Sequence, residues 1–326
     1  MQLLHIADLH FGRLLYGRSL MDDQRHFVRQ SLLPALDEYK PDALLIAGDL
    51  YDRQIASVDA IHLFDELIDA LCERNIPAVI ISGNHDSPDR IAVGKSLLAR
   101  HGIHIITELK DAFTPVEIGN IQIFPLPYFE NAQMRDFLGD ETLRGAGDVP
   151  TDVFSPFDYA ALGHLHAAQR AGDTARYAGS PLKYSVDEAH QKKSMTLVTL
   201  GDTVETTCIP VTPLHDVKRI EGTFAALLEN GQAAPNEDYV EILLTDDEPV
   251  FRPADRLRPY YPNVLGVRST WFLKQHAGTQ AEADLHSRSR AELFRGFLKE
   301  VCGEEAQPED EALLAEILKE LEGDAT

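Results

Sequence analysis

The first half of the chain alternates short apolar runs with longer segments in which apolar residues recur at helical spacing. The short runs are LLHIAD, DALLIAGD and IPAVIISG, and the segments between them are DDQRHFVRQSLLPALDEY and SVDAIHLFDELIDALCER. Strands that alternate with helices in this way form βαβ units around a parallel sheet. The pattern therefore predicts an α/β fold for this part of the chain.

The pattern changes after residue 102, where the apolar runs shorten and turn residues become frequent. The runs IHIIT and FTPVEIGNIQIFPLPYF predict a second set of strands that packs against the first, and FDYAALGHLH predicts a further strand that ends in polar residues. Two later stretches, ARYAGSPLKYS and KSMTLVTLGDTVETTCIPV, predict hairpin strands that close a domain of residues 1–213. Residues 214–280 are predicted to form a small α+β domain, and residues 281–326 are predicted to contain two amphipathic helices.

The composition is that of a folded protein with a substantial core. The chain has 326 residues, of which 44% are hydrophobic, and this length allows two domains. No apolar run approaches the roughly 20 residues that a membrane-spanning helix needs, and the first residues lack the basic segment of a signal peptide. We therefore expect a cytoplasmic protein. Cys72, Cys208 and Cys302 are far apart, which argues against a disulfide framework and against a thiolate zinc site.

The chain is strongly acidic, with a formal net charge of −23. This balance by itself argues against nucleic acid as a ligand, because binding to the phosphate backbone is driven largely by lysine and arginine. A bound divalent metal would weaken that objection, since an ion can dominate the local field of its site. Net charge therefore does not exclude a DNA-binding protein that uses metal ions.

Four short polar motifs follow predicted strands, at the strand ends where α/β proteins gather their ligands. The motifs are ADLH, AGDLYD, GNHDS and GHLH, and a glycine precedes the polar residues in the last three, as expected of sharp turns. Each motif alone is more often structural, but four of them in order favour a metal site. Carboxylate and imidazole ligands without thiolates fit manganese, iron or zinc, and a bridging aspartate suggests two metals about 3.5–4 Å apart. The candidate ligands are Asp8, His10, Asp49, Asn84, His164 and His166.

In this order the motifs DxH, GDxxD, GNHD and GHxH resemble those of the calcineurin-like metallophosphoesterases. That resemblance implies a sandwich of two mixed β-sheets flanked by helices. The stretches LHIADLHFGR, FDYAALGHLHAAQ, YAGSPLKYS and ELFRGFLKEV are similar, more narrowly, to the SbcD-type nuclease subunits of the Mre family of DNA repair nucleases. The narrower resemblance runs over nearly the whole chain, including the small domain and the terminal helices.

The resemblance implies an activity and partners. The expected activity is that of a manganese-dependent exonuclease on double-stranded DNA ends and an endonuclease on single-stranded and hairpin DNA, in repair and recombination. The expected assembly is a homodimer within a heterotetramer that also contains an SbcC-like SMC-type ATPase. The chain has no GxxxxGK[ST] motif of its own, so ATP hydrolysis would come from that partner. The two terminal helices are expected to dock on the partner, although amphipathic helices also commonly cover their own domain.

The resemblance also implies roles for single residues. The first metal would be held by Asp8, His10 and His166 and the second by Asn84 and His164, with Asp49 as the bridge. The catalytic residues would be His85, which protonates the leaving oxygen or stabilises the transition state, and Asp86 as its possible partner. The Asp86 carboxylate would anchor the loop or orient the imidazole.

One family feature is absent from this chain. The family has a further strand ending in a histidine between the LPY and FDYAALGH stretches, whereas ENAQMRDFLGDETLRGAGDVPTDVFSP contains no histidine. We expect the gap near residues 143–145. Three explanations of this gap are open: an engineered deletion, a stretch lost from the recorded sequence, or a natural variant with an impaired second metal site.

Two other functions remain open as well. A phosphatase acting on a small phosphoester would need only the same two-metal core, but such an enzyme would not need the small domain and the terminal helices. The other alternative is a catalytically impaired subunit that binds DNA ends or serves as a scaffold. Such a subunit would have a degenerate site, and the missing histidine favours this alternative.

Overall fold

The computed structural model describes residues 1–139 and 151–271. The predicted gap near residues 143–145 and the two terminal helices of residues 281–326 lie outside the described residues. The described strands are β1 (Gln2–Ile6), β2 (Leu14–Leu15), β3 (Arg18–Ser19), β4 (Ala43–Ala47), β5 (Ala78–Ile81), β6 (Ile103–Ile106), β7 (Val116–Ile118), β8 (Ile121–Ile123), β9 (Ala160–Leu162), β10 (Gln169–Ala171), β11 (Ala175–Tyr177), β12 (Ser194–Leu200), β13 (Val204–Pro210), β14 (Val217–Gly222), β15 (Tyr239–Leu244) and β16 (Val264–Ser269). The described α-helices are α1 (Met21–Phe27), α2 (Leu33–Tyr39), α3 (Val58–Arg74), α4 (Pro88–Ile91), α5 (Lys95–Leu98), α6 (Asn131–Leu138), α7 (Phe224–Ala233) and α8 (Pro253–Leu257).

The predicted α/β arrangement of the first half is confirmed. The described part of the chain contains a central six-stranded sheet in the order β13-β12-β1-β4-β5-β6. Strands β1, β4, β5 and β6 run parallel, and β12 and β13 add an antiparallel edge, which makes the sheet mixed. Parallel strands need crossover connections, and the predicted helical segments lie between β1 and β4 and between β4 and β5.

The central sheet is covered on both faces. Leu4 and Leu44 pack with residues of α1, α2 and α3 on one face, and Leu3 and Leu45 pack with Ile118 of β7 on the other. This alternation follows from the period of two along a strand. The second layer consists of the β7–β8 hairpin and a small sheet in the order β10-β11-β9. The sheet expected as the second half of the sandwich is therefore divided into two pieces within the described residues.

The segment predicted as one helix over residues 22–39 has an irregular middle. Residues Val28–Leu32 form a π turn between α1 and α2. Pro34 lies two residues after this turn, in the first turn of α2. Proline has no N–H and its ring clashes with the carbonyl four residues earlier, so a wider turn at this point relieves the conflict. Across residues 1–139 and 151–271, no helix combines the length and the apolar character needed to cross a bilayer.

In the small domain predicted from residue 214, strands and helices alternate, which is an α/β arrangement and not the predicted α+β one. Its strands β14, β15 and β16 are all parallel, and α7 and α8 alternate with them. Its own core contains Phe224, Leu227, Val240, Ile242 and Leu257. The sequence pattern predicted an α+β module, but parallel pairing is decided only when the crossover helices pack.

The small domain is attached to the first domain through a buried carboxylate. Asp23 of α1 is 2% exposed, and it accepts hydrogen bonds from the His215 backbone amide and the Tyr239 hydroxyl. Arg18 of β3 donates to the Asn263 side chain and to the Pro262 carbonyl. These contacts place the small domain beside the β2–β3 hairpin.

Candidate metal centre

The polar motifs lie at neighbouring strand ends. Asp8 and His10 follow β1, Asp49 follows β4, and Asn84 follows β5. Because β1, β4 and β5 are parallel neighbours, their carboxyl ends meet at one edge of the sheet. The fourth motif follows β9, where His164 donates its backbone N–H to the Asp8 carboxylate at 2.7 Å. The second layer thus brings its histidines to the same edge.

Three glycines allow this convergence, for two different physical reasons. Gly48 has a φ of +88°, a turn conformation that side chains disfavour. Gly83 and Gly163 instead permit close contact between chain segments. A Cβ on Gly83 would lie 2.2 Å from the Asp49 backbone nitrogen, and a Cβ on Gly163 would lie 1.6 Å from the Ala47 carbonyl oxygen. The sequence predicted sharp turns at all three positions, but at Gly83 and Gly163 the requirement is for space.

We predict that Gly163→Ala destabilises the protein by more than the roughly 1–3 kcal/mol typical of overpacking, because the added methyl meets rigid backbone. Gly266→Ala is the matched control, since a Cβ at Gly266 meets no atom within 4 Å. Urea denaturation of the metal-free proteins measures both changes. Equal midpoints for the two variants would contradict the prediction.

One half of the centre is buried and has unsatisfied polar atoms. Ligand atoms of Asp8, His10 and Asp49 lie within 4.8 Å of one another, and all three residues are buried. The Nε2 atom of His10 lies 3.2 Å from Nε2 of His166 and 3.8 Å from Asp49 Oδ2. Asp8 Oδ2 has no hydrogen-bond partner. Buried polar atoms are costly when unpaired, so a divalent cation fits this donor set.

The electrostatics of this half also suit a cation. Burial lowers the pKa of His10 to about 2, and the neighbouring His166 and His85 contribute to the decrease, so the ring is neutral and able to offer a lone pair. Burial raises the pKa of Asp8 to about 6, although the His164 backbone hydrogen bond opposes the rise. A cation would favour the ionised form of this carboxylate.

The other half of the centre is exposed. Asn84 Oδ1 lies 3.3 Å from Nδ1 of His164, and both residues are exposed. Pairwise contacts thus connect all six predicted ligands. Asp8, His10 and Asp49 are buried, whereas Asn84 and His164 are exposed.

His85 and Asp86 occupy different environments although they are adjacent in sequence. The Nδ1 atom of His85 lies 2.8 Å from the Asp52 carbonyl oxygen, so Nδ1–H donates there and Nε2 is left for another partner. The Asp86 carboxylate accepts backbone N–H groups from Leu50, Tyr51 and Gly83. These contacts support the anchoring role that was considered for Asp86, since the imidazole of His85 is oriented by Asp52.

Two acidic residues at the centre were not assigned from the sequence. Asp52 is the last residue of the GDxxD motif, and its Oδ1 lies 2.6 Å from Arg13 and 3.7 Å from His10 Nδ1. Its ligand atoms form a second group with His10 and His85. The motif contained the signal for Asp52, and only its role was missed.

Glu188 carried no such signal, because it lies 22 residues from the histidine that it contacts. Its Oε1 is 2.9 Å from His166 Nδ1 and its Oε2 is 2.6 Å from Lys193 Nζ. Burial acts to raise the pKa of Glu188, but hydrogen bonds from His166 and Lys193 outweigh it and lower the pKa to about 2. Glu188 is therefore an ionised carboxylate behind the centre.

The backbone at the centre is strained. Asp8, His10, Asp49 and His164 have φ values of 54°, 45°, 46° and 83°. Residues other than glycine seldom adopt this left-handed region, at a cost of about 1–3 kcal/mol each where the surroundings impose it. The four residues belong to three of the four motifs, so the convergence of the ligands is achieved against local backbone preference.

Comparison with known proteins agrees with this geometry. Residues 1–245 match the family model of the calcineurin-like phosphoesterases. Residues 213–301 match a second family model, described as the type 5 capsule protein repressor C-terminal domain. The second match begins at residue 213, next to residue 214, where the small domain is predicted to begin.

Two curated relatives are named as the SbcD component of the nuclease SbcCD. The protein from Staphylococcus epidermidis is 27% identical over 92% of this chain and 93% of its own length. The protein from Staphylococcus saprophyticus is 27% identical over 93% of this chain and 94% of its own length. The alignments extend over 350 and 354 positions, more than the 326 residues of this chain, so the relatives contain residues that this chain lacks. The location of that difference near residues 143–145 stays a prediction.

The first family model covers well over half of the chain, and three of the four motifs follow parallel neighbours of the central sheet. Metallophosphoesterases use divalent metals, and the buried donor set suits one. The chain belongs to the calcineurin-like phosphoesterase family.

Proposed function

We propose that this chain is the nuclease subunit of an SbcC–SbcD type complex and hydrolyses phosphodiester bonds of DNA. Its activities are those of an exonuclease on double-stranded ends and an endonuclease on single-stranded and hairpin DNA. The observation that carries the proposal is the buried donor set of Asp8, His10 and Asp49, in which Asp8 Oδ2 has no hydrogen-bond partner, in a chain that aligns over more than nine tenths of its length with proteins named as nuclease subunits.

The ligand roles follow the two halves of the centre. In this proposal Asp8, His10 and His166 would hold one metal, Asn84 and His164 would hold the other, and Asp49 would be shared between them. A metal pair would supply an activated water and stabilise charge on the phosphorus centre. Oxygen and imidazole ligands without thiolates suit Mn²⁺, and we assign Mn²⁺ as the working ion.

His85 acts on the substrate in this proposal. Its Nδ1–H is held by the Asp52 carbonyl oxygen, which fixes the plane of the ring. The opposite nitrogen then donates a proton to the leaving oxygen or stabilises the charge that develops there. Asp86 contributes by anchoring the loop that carries His85, through its bonds to Leu50, Tyr51 and Gly83.

The two metals should bind with unequal affinity. The first has buried ligands, whereas Asn84 and His164 are exposed and the family histidine that would join them is missing from this chain. Calorimetric titration with Mn²⁺ should give one tight and one weaker site. Equal occupancy of both positions by anomalous scattering from a Mn²⁺-soaked crystal would contradict this.

The acidic chain and its lack of a nucleotide-binding motif support the partners in the proposal. An SMC-type ATPase supplies ATP hydrolysis and much of the DNA-binding surface, and the complex is a heterotetramer built on a homodimer of this chain in the cytoplasm. The small domain, which lies beside the β2–β3 hairpin, caps the metal cleft and guides DNA in this proposal. The predicted helices of residues 281–326, which lie outside the described residues, dock on the ATPase in this proposal.

The test is cleavage of plasmid, hairpin and single-stranded DNA by the purified chain with Mn²⁺, with and without the ATPase partner and ATP. We expect basal endonuclease activity alone and ATP-stimulated exonuclease activity with the partner. Hydrolysis of a small phosphoester such as para-nitrophenyl phosphate without DNA cleavage would favour the phosphatase. DNA binding without cleavage of any substrate would favour the scaffold.

A further inference from the structure

A buried ion pair lies directly behind His166, one of the candidate metal ligands. Glu188 and Lys193 are 9% and 7% exposed at their side chains, and Lys193 Nζ lies 2.6 Å from Glu188 Oε2. Glu188 ends a short 3₁₀ turn, and Lys193 immediately precedes β12. A buried pair of this kind is costly to form, because both ions lose water. Its position therefore calls for a physical reason.

The pair holds His166 at both its ring and its backbone. Glu188 Oε1 accepts a hydrogen bond from the ring Nδ1 at 2.9 Å, and Lys193 Nζ donates to the His166 carbonyl oxygen at 2.9 Å. The same ammonium donates to Ser180 Oγ and to Gln191 Oε1. His166 is thus fixed from two directions by groups that bind each other.

This arrangement selects one tautomer of the histidine. Because Nδ1–H donates to a carboxylate, the lone pair of the neutral ring is on Nε2. That Nε2 lies 3.2 Å from the Nε2 of His10, on the buried side of the centre. A carboxylate behind a ligating imidazole fixes the ring and makes it a better donor to a metal.

We propose that Glu188 and Lys193 are positioning residues that set the metal affinity of the buried half of the centre through His166. Neither side chain touches the metal or the substrate in this proposal. It rests on the proposed function, because it requires that His166 is a ligand. It adds two residues that none of the four motifs contains.

The test is the affinity of the metal-free protein for Mn²⁺, measured by calorimetry and by electron paramagnetic resonance of the free ion. Glu188→Gln keeps an acceptor of similar shape but removes the charge, and it should weaken the tight site by about 10- to 100-fold. Lys193→Met should weaken it as well, because it removes the donor to the His166 carbonyl and the counter-ion of Glu188. The double variant should lose less than the product of the two single losses, since both residues act through the same histidine.

Lys183→Met is the matched control. Lys183 is a largely buried lysine paired with Asp216 at 2.8 Å, and it donates to the Ala189 and Val217 carbonyls. It therefore contacts the turn next to Glu188, but among the described residues no hydrogen bond joins it to Glu188 or His166. The Lys183→Met substitution should lower the thermal stability of the protein without changing its affinity for Mn²⁺. If Glu188→Gln does not fold, Lys193→Met compared with Lys183→Met provides the same comparison.

The outcomes separate the two proposals. If the wild-type chain binds Mn²⁺ tightly and both Glu188→Gln and Lys193→Met bind it equally well, the positioning role is overturned and the proposed function stands. An equal loss of affinity in Lys183→Met would also overturn it, because the effect would then be general destabilisation. If the wild-type chain binds no Mn²⁺, the proposed function fails and this inference fails with it.

Discussion

His85→Asn is expected to lower the rate of Mn²⁺-dependent DNA cleavage by about 10²- to 10⁴-fold, the usual contribution of general acid–base catalysis. Metal binding should change little, because the Nδ1 atom of the ring is bound to the Asp52 carbonyl oxygen and the ring is not assigned as a ligand. Single-turnover cleavage and Mn²⁺ titration of the same preparation measure the two effects separately.

The control for this substitution is His101→Asn, at an exposed histidine in the turn before β6. It should leave both cleavage and metal binding unchanged. His10, Asp52 and His85 also have ligand atoms within 4.8 Å of one another, so a metal bound by these three residues is the competing arrangement. If His85→Asn loses Mn²⁺ as fully as a ligand variant does, His85 is a ligand and its catalytic role is wrong.

Asp49→Asn is expected to abolish detectable cleavage and to remove most bound Mn²⁺. A bridging carboxylate supplies charge to both metals, so its loss should exceed the roughly 10- to 100-fold effect expected of a residue behind a ligand. Asparagine is chosen because Asp49 Oδ1 also accepts the His85 backbone N–H at 2.9 Å, and an amide oxygen can keep that bond. The Mn²⁺ content of the dialysed protein and its rate of cleavage are the measurements.

Comparison with Asp49→Ala separates charge from structure. The alanine variant removes the hydrogen bond to His85 as well as the charge, so it should be less stable than Asp49→Asn while losing the same metal. Wild-type Mn²⁺ content in the asparagine variant would show that Asp49 is not the bridge. The assignment of the ligands in both halves would then need revision.

Much of the fold follows from local sequence patterns. The strands β1, β4 and β5 and the helix α3 lie where apolar runs and helical periodicity predicted them, because a buried parallel strand and an amphipathic helix each have their own period. The motif residues Asp8, Asp49 and Asn84 could be predicted to meet, since parallel neighbours end at one edge. The division of the second layer and the parallel pairing in the small domain could not, because both depend on which segments pair across long stretches of chain.

For this protein, the sequence alone determined the α/β pattern, the family and the six candidate ligands, since each depends on residue type and short spacing. Tertiary structure decided what surrounds them. It buried Asp8 and His10 but left Asn84 and His164 exposed, and it placed Glu188 and Lys193 behind His166. It also made Gly163 a point of contact with the Ala47 carbonyl. Burial, pKa and contact between distant segments are properties of packing, and packing is set by the whole chain and not by any one motif.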